Sequence, residues 1–198
     1  MKSNPVLRER LGQITSTSTM DRHPIVISDL TIEIPHSIEL APAGFAPALS
    51  IDRYNCFEFA LGLAGRREVM LISSFVPSTC CNATFVEYLI PSPLTAVGKS
   101  PSDGDLVLYR DSQQFTHAGL IHHNRVLSKW GEGYLWLHDL LEVPASYGDS
   151  VSFFASPNPD EILTKFIEFA HQREGSDLVD EVLGFEVPRL RRTLDHVN

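Results

Sequence analysis

From Gly104 onwards the chain breaks into short apolar stretches separated by turn residues, and this rhythm limits the fold more than any other feature of the sequence. Asp105-Leu106-Val107-Leu108-Tyr109, Phe115 to His122, Arg125 to Trp130, Tyr134 to His138 and Val151 to Ala155 each read as a strand. Asp111-Ser112, His123-Asn124, Gly131-Glu132-Gly133 and Tyr147-Gly148-Asp149 punctuate them. Short strands joined by tight turns make an antiparallel meander.

The pattern before Gly104 differs. Residues 1 to about 22 are polar and rich in Ser and Thr, the composition of a loosely held arm. His23 to Ile34 carries Ile25-Val26-Ile27 and Thr31-Ile32-Glu33-Ile34, a strand-like apolar pattern. Pro35 to Ser50, full of Pro, Ala and Gly, reads as a connection over the surface. A helix should open at Cys56 behind Asn55 as N-cap, with Phe57, Ala60, Leu61 and Ala64 at helical spacing, and stop near Gly65. Asn82 can cap a second helix from Ala83 to Ile90, which Pro91 and Pro93 end. Pro159-Asp160-Glu161 opens a further helix with Ile162, Phe166, Phe169 and Ala170 on one face. Beyond Gly175, Leu178, Val179, Val182, Leu183, Phe185 and Val187 alternate with acids, as in a docking helix. Helices first and an antiparallel sheet after make an α+β domain. The expected organisation is an N-terminal arm and wrapping segment (1–50), a core (51–156) and a C-terminal helix and tail (157–198).

At 198 residues there is room for one well-packed domain. Hydrophobic content of 43% and charged content of 21% are ordinary for a globular chain. A net charge of −9 argues against nucleic-acid binding, and Lys165, Arg189, Arg191 and Arg192 are too few to reverse that. No stretch approaches about 18 uninterrupted apolar residues, so no membrane span is expected. The charged N-terminus lacks the apolar core of a signal peptide, which makes a cytoplasmic location the expectation, with export by a dedicated secretion system as the other route. Three cysteines, two of them the adjacent Cys80 and Cys81, form no disulfide framework and should be reduced.

Chemistry concentrates around Cys56. A thiol becomes a nucleophile when a helix N-terminus lowers its pKa and an imidazole takes its proton. Cys56 is placed in a first helical turn, and Thr116-His117-Ala118-Gly119-Leu120-Ile121 supplies a strand-borne histidine. His122 and His123 stand five and six residues further on, roughly 17 Å or more along a strand, too far to serve the same thiol.

Three features, namely Asn55-Cys56 opening a helix, Gly104-Asp105-Leu106-Val107-Leu108-Tyr109 as the entering strand and Thr116-His117-Ala118-Gly119-Leu120 as the histidine strand, resemble the papain-like fold of NlpC-type and CHAP-type cysteine peptidases and amidases. The resemblance covers roughly residues 50 to 155. A closer likeness is to an uncharacterised branch reading Tyr54-Asn55-Cys56…Ala60-Leu61-Gly62, then Ser128-Lys129-Trp130-Gly131 and His138. Permuted relatives, the lipid acyltransferases similar to lecithin:retinol acyltransferase, place the histidine before the cysteine; here Cys56 comes first. The resemblance implies a cysteine-nucleophile hydrolase of amide or peptide bonds acting through an acyl-enzyme, with Cys56 attacking and His117 as base and acid. An acyl transferase or effector with the same pair, and a catalytically silent binding module on the same fold, are the rivals. The implied partner is a peptide or protein substrate. Many relatives cut bacterial cell-wall peptides with the aid of a signal peptide or wall-binding repeat, and neither is visible here.

The resemblance places the third catalytic group on the strand after His117, near Ser128 or Lys129. Ser128 is suited to accept from His117, and His138 to reach it from the next strand. Lys129 reads equally as an ion-pair former, a substrate-carboxylate binder or a solvated side chain. Tyr54 and the backbone around Asn55 and Cys56 are the candidate oxyanion donors, although a tyrosine there more often packs. Trp130, Trp136, Tyr134 and Phe115 would line a groove if they faced outward, or the core if they did not. No metal is expected: no pair has CxxC or HxxxH spacing, and adjacent strand residues such as His122 and His123 point to opposite faces. Gly62-Leu63-Ala64-Gly65 lacks the lysine and context of a phosphate loop, so no cofactor is expected.

Overall fold

A computed structural model describes residues 3–131 and 133–184. Arg189, Arg191 and Arg192, with Phe185 and Val187 of the anticipated docking segment, lie outside the described residues. The chain is α+β. Its strands are β1 (Glu39–Leu40), β2 (Leu106–Arg110), β3 (Phe115–His122), β4 (Arg125–Lys129), β5 (Leu135–His138) and β6 (Ser150–Phe154). They form one open sheet in the order β1-β5-β4-β3-β2-β6, with every pair antiparallel. The meander holds for β2 to β5. The last strand departs from it: β6 returns to the far edge and pairs with β2.

Among the described residues there are seven α-helices: α1 (Pro5–Thr17), α2 (His23–Glu33), α3 (Cys56–Ala60), α4 (Arg67–Phe75), α5 (Ala83–Leu89), α6 (Pro159–Glu174) and α7 (Ser176–Gly184). Strand alternation separates two cores. Leu106, Leu108, Ala118 and Phe154 face one way, into a cluster with Phe57, Ile72, Phe85 and Phe166 from α3 to α6. Val107, Tyr109, Ile121 and Trp136 face the other way, against Leu7, Leu11, Ile27 and Leu30 of α1 and α2. The sheet is thus buried on both sides, which explains why β2, opening Leu106-Val107-Leu108-Tyr109, reads as a nearly continuous apolar run.

Two expectations for the N-terminal region are corrected. The arm is a helix: Asn4 accepts from the Leu7 N–H, Pro5 opens the first turn, and Leu7, Leu11 and Ile14 form a buried stripe. The strand expected over His23 to Ile34 is also a helix, since Ile27 and Leu30 bury one face while Ile25 and Ile32 stay exposed. Tertiary burial overrides the β preference of the branched run there. The third correction concerns α3, which ends at Ala60 rather than near Gly65. Gly62 has a φ of +68°, and a Cβ there would lie 2.7 Å from Pro159 Cγ, so the chain turns under the start of α6.

Candidate active site around Cys56 and His117

Asn55 organises the helix start. Its Oδ1 accepts from the Phe57 and Glu58 N–H groups at 2.9 Å each, and Glu58 Oε2 accepts from the Asn55 N–H at 3.0 Å, completing a capping box. Its Nδ2 donates to the Cys81 carbonyl at 2.8 Å, tying α3 to the segment before α5. Asn55 therefore holds the cysteine in place and consumes two first-turn amides, so the Cys56 N–H is the helix-start donor it leaves open.

Cys56 packs against the core cluster that contains Ala118, the residue after His117, and the Ala118 amide draws the thiol pKa down. The ladder between β3 and β4 stops at Gly119 opposite Ser128, so Cys56 sits where the paired strands end. Although Cys56 as a residue is only partly buried, its sulfur is closely surrounded. Burial pushes the thiol up to about 11, against the smaller downward pull of the Ala118, Phe57 and Cys56 amides and of Lys129. The expected lowering by the helix start is present and is outweighed by desolvation.

His117 is fully buried. It pairs across the ladder with Tyr109 and so points to the face opposite Ala118. Neither ring nitrogen has a hydrogen-bond partner among the described residues, and burial, with His138 nearby, holds its pKa well below the ordinary imidazole value. The Cys56–His117 hydrogen bond of a preformed pair is accordingly not made. Instead the Tyr147 ring stacks on His117, with centroids 4.0 Å apart and planes 14° from parallel. Burial raises the pKa of the Tyr147 hydroxyl, and the charge of a Cys56 thiolate would raise it further. Tyr147 thus covers the imidazole.

Sequence reasoning placed Tyr147 in a turn and gave it no role. Its segment is fastened from a distance. The Arg8 guanidinium of α1, itself buried, donates to the carbonyls of Val143 (3.2 Å), Pro144 (3.5 Å) and Gly148. Thr116 Oγ1 donates to the Tyr147 carbonyl at 2.6 Å. A signal existed in Pro144…Gly148, a bounded turn, but the partner residue lies in a segment read as an arm.

Ser128 and His138 do come together, but with each other. His138 Nδ1 donates to the Asp139 carbonyl at 2.8 Å, which leaves Nε2 as the acceptor for Ser128 Oγ at 2.8 Å; Trp130 Nε1 donates to Ser128 Oγ at 3.1 Å. Burial holds His138 down to about 4. The Ser128–His117 hydrogen bond expected from the sequence is not formed. Trp130 is buried against Trp136 at 5.4 Å, and Phe115 is buried too, so these aromatics belong to the core.

Lys129 is wholly buried, contrary to a solvated reading. Its Nζ donates to the Gly131 and Gly133 carbonyls at 3.0 and 2.9 Å and lies 4.9 Å from the centroid of the Tyr54 ring. Tyr54 packs with Phe59, Leu127 and Leu135. Beside it opens a cavity of about 310 Å³ with an apolar wall formed by Leu40, Pro42, Leu49, Tyr134 and Leu135. All three cysteines are free, with Cys81 buried and Cys80 half-buried just before the Asn82 cap of α5.

His122 and His123 need a correction. His123 has φ +49° and Asn124 φ +62°, so the hairpin turn begins at His123 and the strand rule of opposite faces does not apply. The two rings lie 4.2 Å apart.

Among the described residues no helix is long and apolar enough to cross a membrane. Comparison with family models, with curated proteins and with solved structures returned no match.

Proposed function

We propose that this protein is a cysteine-nucleophile hydrolase of amide or peptide bonds with a papain-like catalytic arrangement. The observation that carries the reading is the packing of Cys56, at a capped helix start, against the cluster containing Ala118, next in sequence to His117, while His117 keeps both ring nitrogens uncommitted among the described residues. A buried neutral imidazole with no partner is costly, by about 1–3 kcal/mol, and is understandable where its nitrogen has a proton to accept.

The resting state is a neutral thiol and a neutral imidazole. On reaction, His117 takes the thiol proton as Sγ bonds to the substrate carbonyl carbon, and returns it to the leaving amine as the C–N bond breaks. Water, deprotonated by His117, then releases the acid and regenerates the thiol. The Cys56 N–H is the amide left open for the oxyanion. The Ser128–His138 pair stands beside His117 as neutral dipoles; the apolar cavity next to Tyr54 suits an apolar substrate side chain. Proton transfer requires the His117 ring, which points to the sheet face opposite Ala118, to come round to the Cys56 sulfur as Tyr147 leaves its stack, so the observed arrangement is a resting form.

An activated ester, p-nitrophenyl acetate, tests acyl transfer without knowledge of the natural substrate. The expected result is one acetyl group on Cys56 by peptide-mapped mass spectrometry, formed with a stoichiometric burst of nitrophenolate, absent in Cys56→Ala and slowed in His117→Ala. Burial of the thiol, with its pKa up to about 11, favours the rival silent module. That rival predicts no burst, or acetylation of Cys56 at the same rate with and without His117.

A further inference from the structure

The opposite end of β3 carries a second cluster of chemistry-bearing side chains that the proposed hydrolase does not use. Asp103, His122 and His123 each present a ligand atom, and all three atoms lie within 4.8 Å of one another. His123 is in the left-handed region at φ +49°, which brings its ring round to the same side as its neighbour's. His122 is half-buried and rests edge-on against Phe45, 4.8 Å between centroids.

Asp103 is held by backbone on both sides of the cluster. One carboxylate oxygen, Oδ1, accepts from the His123 N–H at 2.9 Å, while Oδ2 lies 3.3 Å from His123 Nδ1. The following Gly104 N–H donates to the Ile121 carbonyl at 2.8 Å, and the Ile121 N–H donates to the Asp105 carbonyl at 2.9 Å. The loop before β2 and the end of β3 are thereby fixed relative to each other. One carboxylate oxygen is engaged by the turn, and the other points to the imidazoles.

We propose that Asp103, His122 and His123 form a binding site for a divalent transition-metal ion of the zinc type. Two imidazoles and one carboxylate are a borderline donor set that suits zinc over calcium or magnesium, which take oxygen ligands. A tetrahedral ion with bonds of about 2.1 Å needs ligand atoms about 3.4 Å apart; His123 Nδ1 and Asp103 Oδ2 already stand at 3.3 Å, and all three ligand atoms lie within 4.8 Å of one another. Three protein ligands leave a fourth position for water. The Asp103 contact to the His123 N–H would orient the carboxylate from outside the coordination sphere. The site joins the β2 entrance to the β3–β4 turn, remote from Cys56.

The test is calorimetric titration of the full-length, tag-free, reduced chain with zinc, alongside His122→Ala, His123→Asn and Asp103→Asn. Asn at 123 tolerates the positive φ, so that variant keeps the turn. Wild type should bind one equivalent, with affinity reduced about tenfold or more in each variant. His171→Ala, at a separate histidine paired with Asp180, should bind as wild type does. Cobalt(II) should give visible d–d bands without the near-ultraviolet charge-transfer absorption of a thiolate ligand. Unchanged affinity in both His123→Asn and Asp103→Asn, no binding by wild type, or a thiolate band from the cysteines would each overturn the assignment.

Discussion

The two ends of β3 carry the same side chain in opposite circumstances. His117 at its start is wholly buried, stacked on Tyr147 and without a hydrogen bond among the described residues. His122 and His123 at its end meet water, each other and a carboxylate. Five and six positions along the chain separate an imidazole held neutral in a low-dielectric core from a pair beside a carboxylate. Environment, not residue type, decides whether a histidine is equipped to move a proton or to hold an ion.

Acid should divide the two ends most strongly. The folded-state value of His138 is held down to about 4, against 6.5 for a free imidazole, and His117 is also lowered. Above about pH 6.5 both residues are neutral whether the chain is folded or not. As pH falls from 6.5 towards 4, the unfolded chain binds protons that the folded chain does not, so stability is lost across that window. His138 alone should account for about 3 kcal/mol. Urea unfolding between pH 7 and pH 4 measures it. A slope that persists in a His117→Phe, His138→Phe chain, or disappears in a His122→Ala, His123→Asn chain, would erase the distinction between the ends.

Arg8→Met is expected to cost about 2 kcal/mol or more, because three carbonyls around the Tyr147 segment lose their donor. It should also speed alkylation of Cys56, as Tyr147 comes off His117. Lower stability with unchanged alkylation would show that the stacked tyrosine does not cover the site.

His117→Phe should raise stability by about 1 kcal/mol, since it removes two unsatisfied buried nitrogens while keeping an aromatic ring against Tyr147. Loss of acyl transfer in the same variant would mark His117 as retained for chemistry at a stability cost. A destabilised His117→Phe chain would point to a partner for the imidazole within the core. The smallest effect belongs to the exposed end: His123→Asn should change metal-free stability by less than about 0.5 kcal/mol.

Much of this contrast was legible before the fold was known. Alternation and turn residues located β2 to β6 to within about a residue, because buried strands bounded by Gly, Asn and Asp carry their signal locally. Asn55 as the cap of the Cys56 helix was equally readable, since capping depends on neighbours in sequence. The α1 stripe Leu7, Leu11 and Ile14 was hidden by the Ser and Thr around it, and α2 by Ile25-Val26-Ile27; both form because the second face of the sheet needs cover. Helix α4 carries Val69, Leu71 and Ile72 into the first core but has no side-chain cap to announce it. Tyr147 was invisible as a site residue because what places it, Arg8, is far away in sequence. The raised thiol pKa and the placement of His123 in the turn are likewise products of tertiary burial and of a positive φ, neither of which residue type reveals.

The central claim is that His117 is the base for Cys56. It is tested most directly by the rate at which iodoacetamide modifies Cys56, followed by peptide-mapped mass spectrometry from pH 6 to pH 11, in wild type and in single alanine variants of His117, His122, His123 and His138. The account predicts that His117→Ala slows modification about tenfold or more near pH 7, leaving only the rise as the buried thiol ionises towards about 11. His138→Ala should have a smaller effect, and the His122 and His123 variants none. A wild-type rate in His117→Ala, or a larger loss in any of the other three, would contradict it.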